Sequence, residues 1–402
     1  MTMEVERRQL ILPMLIMAML SFAAVVMYSP RWNAVSLYAI LPMACVLSFC
    51  HHPCAIPNRY FGWFLLLWAW IVFTSTFAMD TTVAQNEVKR TLGCVVLAYI
   101  ICIWGREKSV IPWLYGIFIL LLIAAIYYGY TCIYMGDISA LGDARMSDDT
   151  LNANTIAYYT FYALFAIYML GVIPENPVVR SAFRWMFVGM AAVVYIVAIA
   201  TASRQTPLIS FPFWAILMIL RYIGKESAPW QRWMVIIAGI VALICLVPMV
   251  MDIYQDSSLQ LRNEAGGSDE ERLALLKESI EVGAAHPWLG VGPDNFRLVS
   301  QYQLISHCTY TELWANTGLV GVCLYIGMLL TLGIQQVKSY RISHHKESLY
   351  ILVFLGFYTI YQLLFVFYPH LWLIAFFMLV AAHGELFTEQ RQYENIAYTY
   401  QY

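Results

Sequence analysis

Residues 110–130 read VIPWLYGIFILLLIAAIYYGY and contain no charged side chain. A membrane-crossing helix needs roughly 17–25 mostly apolar residues, and proline is tolerated in a first turn, which is where Pro112 falls. This stretch predicts a transmembrane helix, and the chain repeats the pattern on both sides of it. Apolar runs recur at 10–28, 34–50, 60–78, 91–104, 155–173, 185–201, 207–221, 233–251, 318–335, 348–367 and 370–387. The runs at 91–104 and 207–221 are short. Pro207 sits at a helix start, while Pro212 and Pro248 lie inside runs and predict kinks. The expected fold class is all-α: a polytopic membrane protein of about 12 transmembrane helices with one large extracytoplasmic loop that contains helices. The expected organisation is helices over 1–251, a loop over 252–317, and helices plus a tail over 318–402.

Composition agrees. The chain is 61% hydrophobic and 12% charged, against about 45–50% and about 25% in a soluble domain. A net charge of −2 with no basic run gives no reason to expect a nucleic-acid partner. Arg7 and Arg8 precede an apolar run with no small-residue cleavage site, so the segment reads as a first anchor. Most of the cysteines lie in apolar runs, where Cys behaves as a small hydrophobe, and no disulfide framework is expected. Cys50, His51, His52 and Cys54 share one short loop whose spacing matches no common zinc site, so no metal is expected there. No cofactor is expected either.

Orientation follows from Lys and Arg in short loops. With the N-terminus in the cytoplasm, Arg59, Arg106, Lys108, Arg180, Arg184, Arg221, Lys225, Lys338 and Arg341 fall on the cytoplasmic side. The polar stretch 252–321 then lies outside, which in a Gram-negative cell is the periplasm. This stretch is where chemistry is expected. Ser268-Asp269-Glu270-Glu271 reads as a capping box. The helix after it shows Leu273, Leu276, Ile280 and Ala284 at helical spacing, which predicts the packed face, and Gly283 and Pro287 are read as its end. Arg272 in its first turn reads either as a surface arginine paired with Glu271 or Asp269, or as a ligand-binding cation. Gly290-Val291-Gly292-Pro293 permits a tight turn and close backbone approach. It is not a P-loop, because no Lys-Ser/Thr follows. His307 stands just before the next apolar run; a neutral imidazole is a general base near neutral pH. His286, beside Pro287, reads as a turn residue.

Outside cations come from separate segments: Arg145 in the polar loop 131–154, Arg204 in the tight turn 201–206, Arg272, and Lys89 with Arg90. Such groups are costly in a membrane unless they pair or face a polar cavity, and guanidinium suits phosphate. Arginines that hold a diphosphate leaving group and a histidine that takes a proton from a hydroxyl suggest group transfer from a lipid-diphosphate donor. A transporter is the reading from another class. It would place its polar groups at the bilayer midplane, whereas here they gather at one face.

These residues also carry a resemblance. His286-Pro287-Trp288-Leu289-Gly290-Val291-Gly292-Pro293-Asp294-Asn295-Phe296 resembles the "hPhlGvGxxnF" element of the O-antigen ligase and O-antigen polymerase superfamily. His307-Cys308-Thr309-Tyr310 with Gly318-Leu319-Val320-Gly321 resembles its "HNxYL…GLxG" element. Ser203-Arg204 resembles its "SRg" turn, Arg145 to Asn154 its "R…N-x-N" loop, and Arg272 falls at its "R…W" helix. The resemblance implies a metal-independent, inverting glycosyltransferase of the bacterial inner membrane, with its site facing the periplasm. It would move a glycan from an undecaprenyl-diphosphate-linked donor to an acceptor hydroxyl. The acceptor is lipid A-core in the ligases of lipopolysaccharide assembly and another repeat unit in the polymerases. His307 would be the base, and Arg204 and Arg272 the diphosphate ligands, with Arg145 beside them. Gln205 stands where the family has Gly, Cys308 where it has Asn, and Asn316 where it has Glu.

Overall fold

The computed structural model describes residues 2–140, 145–148, 150–203, 206–222, 267–344 and 346–399. Among these every regular element is helical. In chain order the helices are α1 (Thr2–Val25), α2 (Pro30–Val35), α3 (Leu41–His51), α4 (Arg59–Ser75), α5 (Thr81–Trp104), α6 (Ile111–Tyr128) and α7 (Ala153–Leu170). They continue with α8 (Pro177–Thr201), α9 (Phe211–Tyr222), α10 (Gly267–Ala285), α11 (Phe296–Val299), α12 (Thr309–Ser343), α13 (Lys346–Tyr361) and α14 (Leu371–Thr399).

Among the described residues, five helical segments are long and apolar enough to cross a membrane: Ile11–Tyr28, Pro30–His51, Ile111–Ile133, Pro177–Thr201 and Thr309–Ile342. Thr206–Arg221 and Leu371–Leu386 are shorter apolar helices. The expected spans at 60–78, 91–104, 155–173 and 348–367 coincide with α4, α5, α7 and α13, which are shorter or more polar. The run at 233–251, with Pro248, lies outside the described residues. The chain is thus an all-helical, polytopic membrane protein.

Local chemistry sets the helix starts. The Asn58 side chain accepts from Phe61 N–H at 2.8 Å to open α4, and Asp80 accepts from Thr82 N–H at 2.8 Å to open α5. Asn176 caps α8, with Pro177 at its first position. Around Pro207 and Pro212 the chain widens into a π-turn, Thr206–Ser210, before α9. The irregularity expected from Pro212 therefore falls at the helix start.

The chain divides into two compact units. The first comprises Met1–Ala23, Arg31–Leu114 and Gly267–Tyr402; the second comprises Ala24–Pro30 and Tyr115–Gly266. In the second unit α7 is buried on all sides from Ile156 to Leu170. Phe161 meets Phe213 at 4.6 Å between ring centroids, and Tyr168 meets Phe187 at 5.0 Å. Helices surrounded by lipid associate through such packing and through hydrogen bonds rather than by escaping water.

The first unit is organised by a break in α12. Gly318 has φ 72° and ψ −178°, inside what is otherwise one long helix. A helical carbonyl normally accepts from the N–H four residues on. The break frees those of Ala315 and Asn316, which accept instead from Val291 N–H at 2.8 Å and Gly292 N–H at 3.0 Å. Leu319 N–H, freed in the same way, donates to Pro287 O at 2.7 Å. The expected membrane run at 318–335 is therefore the lower part of a helix that starts at Thr309.

Candidate functional site

The turn 287–295 is threaded against this break. A Cβ on Gly290 would strike the backbone of Asn316, and one on Gly318 would strike the Trp288 carbonyl. Both residues have positive φ, so the two glycines interlock. The expected close backbone approach at Gly290-Val291-Gly292 is real, and its partner is α12. The turn also reaches the top of α4: Met79 N–H donates to Val291 O at 3.1 Å, and Asp80 N–H donates to Asn295 Oδ1 at 2.7 Å. Trp70 Nε1–H closes the joint on Thr317 O at 2.8 Å. His286 is exposed, and its carbonyl accepts from Gly290 N–H at 3.0 Å, the turn role expected of it.

Helix α10 packs on this joint, though not by the expected face. Leu273 is 52% exposed and Ile280 41% exposed, and Ala284 is exposed as well. The buried residues are Leu275, Ser279 and Gly283, with Val282 against the small core of Leu275, Phe296 and Ala315. Steric fit decides the face. A Cβ on Gly283 would lie 2.7 Å from the Trp314 ring, so α10 turns this glycine toward Trp314. Gly283 is thus a packing residue within the helix and not its terminator. Arg272 lies one turn before Leu275, on the buried side of α10, and among the described residues no carboxylate pairs with it. Its charge acts on His307 instead.

His307 is the apex of a short, heavily fastened loop. Its φ is +59°, a left-handed conformation that non-glycine residues adopt uncommonly and that persists where the surroundings enforce it. Both neighbours are fixed. On one side Ser306 N–H donates to Glu312 Oε2 at 2.6 Å. On the other, Cys308 N–H donates to Ser306 Oγ at 3.3 Å while that hydroxyl donates to Cys308 O at 3.1 Å. Thr309 then ties the loop to the segment after α13. Its N–H donates to Gln362 O at 2.8 Å, its hydroxyl donates to Phe365 O at 2.7 Å, and that hydroxyl accepts from Phe367 N–H at 3.0 Å.

The His307 ring is half-buried, and its Nδ1 is shut in with no hydrogen-bond partner among the described residues. Nε2 is therefore the nitrogen that can meet a substrate. Burial, and after it the positive charge of Arg272, lower the imidazole from 6.5 to about 4. At neutral pH it is uncharged, as a proton acceptor must be.

Sequence reasoning missed Glu312, and it noted Asn316 only as standing where the resembled family has Glu. Glu312 is 1% exposed. Its Oε1 accepts from Asn316 Nδ2–H at 2.9 Å, and Asn316 Oδ1 accepts from Phe296 N–H at 2.8 Å. The available signal was a carboxylate five residues after the histidine, at the head of an apolar helix. Of the other cations, Arg90 pairs with buried Glu87 at 2.6 Å and Arg297 with Asp294 at 2.8 Å.

In the second unit, Arg145 Nε–H donates to Thr201 O at 3.0 Å, and Met146 N–H donates to Ala200 O at 2.7 Å. Asn152 caps α7, and Ser203 Oγ donates to Asn154 at 3.4 Å. The Arg145 loop and the turn that leads to Arg204 are thereby brought together. Arg204 itself lies outside the described residues. Arg272 and His307 are brought together in the first unit.

Among the described residues, one grouping has ligand atoms close enough to hold a metal: His51, His52 and Glu107, within 4.8 Å of one another. It lies at the far end of α5 from Asp80. Each member has a structural partner: His52 Nε2 meets Glu107 at 3.0 Å, and His51 stacks on Trp104.

Residues 188–326 match the family described as O-antigen ligase. The match runs from within α8 into α12, takes in the Arg272 and His307 segments, and supports the resemblance to that superfamily. No curated protein matches the chain.

Proposed function

We propose that this chain, with its O-antigen ligase domain, is an inverting, metal-independent glycosyltransferase that joins an undecaprenyl-diphosphate-linked glycan to an acceptor hydroxyl of lipid A-core. The observation that carries the reading is the His307 loop: a neutral imidazole, held in a left-handed backbone, beside a cation with no carboxylate partner among the described residues. The acceptor oxygen attacks the anomeric carbon from the face opposite the diphosphate. The new C–O bond forms as the bond from that carbon to the diphosphate oxygen breaks. The hydroxyl proton passes to His307 Nε2, and the electron pair leaves on undecaprenyl diphosphate. Arg272 stabilises the charge that develops there, which is worth most in a site shielded from water. By the family resemblance, Arg204 and Arg145 act on the same diphosphate.

Charge linkage ties donor to base. Without substrate, Arg272 helps to hold His307 near 4, where it is available but weak. A bound diphosphate offsets that positive charge, so the proton affinity of His307 rises when the donor is in place.

The same residues serve a repeat-unit polymerase, whose reaction differs only in its acceptor. Deletion of the gene followed by gel analysis of lipopolysaccharide separates the two. Loss of all polymer on lipid A-core, with polymer accumulating on the carrier, is the expected result. A single repeat unit on the core assigns the polymerase instead, and an unchanged pattern removes both.

A further inference from the structure

We propose that Glu312 and Asn316 form a complementary pair that positions His307, acting through the backbone of Ser306 and not through the imidazole; this rests on the reading of His307 as the base. Three hydrogen bonds carry the inference. Phe296 N–H donates to Asn316 Oδ1, Asn316 Nδ2–H donates to Glu312 Oε1, and Ser306 N–H donates to Glu312 Oε2. They run from the core under α10 to the residue before the histidine. The last, at 2.6 Å, is the shortest of the three.

A carboxylate beside a catalytic histidine usually orients the ring. Here that role is not filled, because Nδ1 has no partner among the described residues and both Glu312 oxygens are engaged elsewhere. What Glu312 fixes is the main chain on one side of a left-handed residue; Thr309 fixes it on the other. Freed on one side, a non-glycine residue relaxes toward negative φ, and the ring swings away from Arg272.

The pair is matched donor to acceptor. Asn316 must accept from Phe296 and donate to the side chain at position 312, so that side chain must accept twice. In the variant Asn316→Glu the new carboxylate cannot donate, and two carboxylates one helical turn apart repel. In the variant Glu312→Gln the new amide turns an N–H either on the Asn316 amide or on the Ser306 N–H, and donor then meets donor. Exchanging both restores the complement. In the double variant the amide at position 312 accepts from Ser306 and donates to the carboxylate at position 316, which accepts from Phe296.

The test uses the full chain in lipid vesicles with an undecaprenyl-diphosphate-linked glycan as donor and lipid A-core as acceptor. Glu312→Gln and Asn316→Glu should each lower kcat about 10- to 100-fold, with donor KM within about twofold. In each, the acid limb of kcat/KM should rise from near 4 toward 6.5 as the ring leaves its buried position. The double variant should recover to within about threefold of wild type and regain the acid limb, which a role in stability alone would not produce. Unchanged single variants overturn the proposal, and so does a double variant no better than the worse single one. Where a single variant does not accumulate, the double variant decides. A folded, active double variant supports the pairing, and one that is unfolded or at least tenfold slower overturns it. His307→Ala runs alongside: if it turns over normally, the reading of the base has failed, whereas an inactive His307→Ala beside normal Glu312→Gln fails the pairing alone.

Discussion

Two neighbouring parts of the segment 267–317 are held in different ways. The turn 287–295 is held mostly by backbone: glycines admit α12, main-chain N–H groups meet the carbonyls released at Gly318, and one side chain, Asn295, ties the turn to Asp80. The His307 loop is held by side chains: Glu312, Ser306 and Thr309 each fasten main chain beside a residue that is not glycine but has a positive φ. In the turn, Gly290 and Gly292 supply positive φ without strain, beside Asp294 at φ 57°. Where an imidazole must stand at such a position, the fold has to enforce it. The family-like "hPhlGvGxxnF" element is therefore a joint, and on the proposed reading the histidine element is the working part mounted on it.

The largest effect that would break this comparison is at the joint. Gly318→Ala adds a Cβ at φ 72° against the Trp288 carbonyl. Backbone strain alone costs about 1–3 kcal/mol, and the overlap adds about 1–3 kcal/mol more. Little folded protein should be recovered in detergent; a normal yield with an unshifted Tm would refute the interlock.

Next is the working part. His307→Ala should lose about 10²- to 10⁴-fold in kcat, the usual worth of a general base, while the protein still accumulates in the membrane. Wild-type transfer by that variant, measured as glycan moved to acceptor, sinks the assignment.

Arg272→Ala should cost about 10- to 100-fold in kcat/KM, the worth of a charged hydrogen bond, and should raise the acid limb of the pH profile by removing the cation beside His307. An unaltered donor dependence in reconstituted vesicles counts against it.

The smallest effect is that limb in the wild type. In the free protein His307 resists protonation down to about 4, whereas the unfolded chain binds the proton near 6.5. Unfolding therefore takes up a proton between these values. Stability that rests on the neutral ring is present above 6.5 and is lost as pH falls toward 4. By the same sign, kcat/KM should hold from neutrality to near 4, and kcat, read with donor bound, should fall earlier. Coincident limbs would deny that the donor offsets Arg272.

Much of this was legible in the sequence. Uncharged runs announce helices, and His307 stood out by its position before one of them. The packed face of α10 was misread, because periodicity weighs apolar side chains, whereas the buried face includes Ser279 and Gly283, and Gly283 fits against Trp314 by its size. The fastening of His307 was illegible for another reason. Its partners at Gln362, Phe365 and Phe367 are main-chain atoms, which every residue carries and no sequence pattern marks. Glu312 was visible but had no reason to be singled out until Ser306 was seen bonded to it.

The break at Gly318 bears on how this protein can be taken apart. The segment 267–317 has the length of a small domain, yet it is stitched to Trp70, Met79, Asp80, Leu319 and Gln362, residues outside it. Excised as a soluble fragment, residues 267–317 would keep the small core of Leu275, Phe296 and Ala315 but leave those stitches behind. The segment is an inseparable cap, and crystallisation trials, antibodies or inhibitor screens aimed at it need the whole membrane chain as their antigen and target.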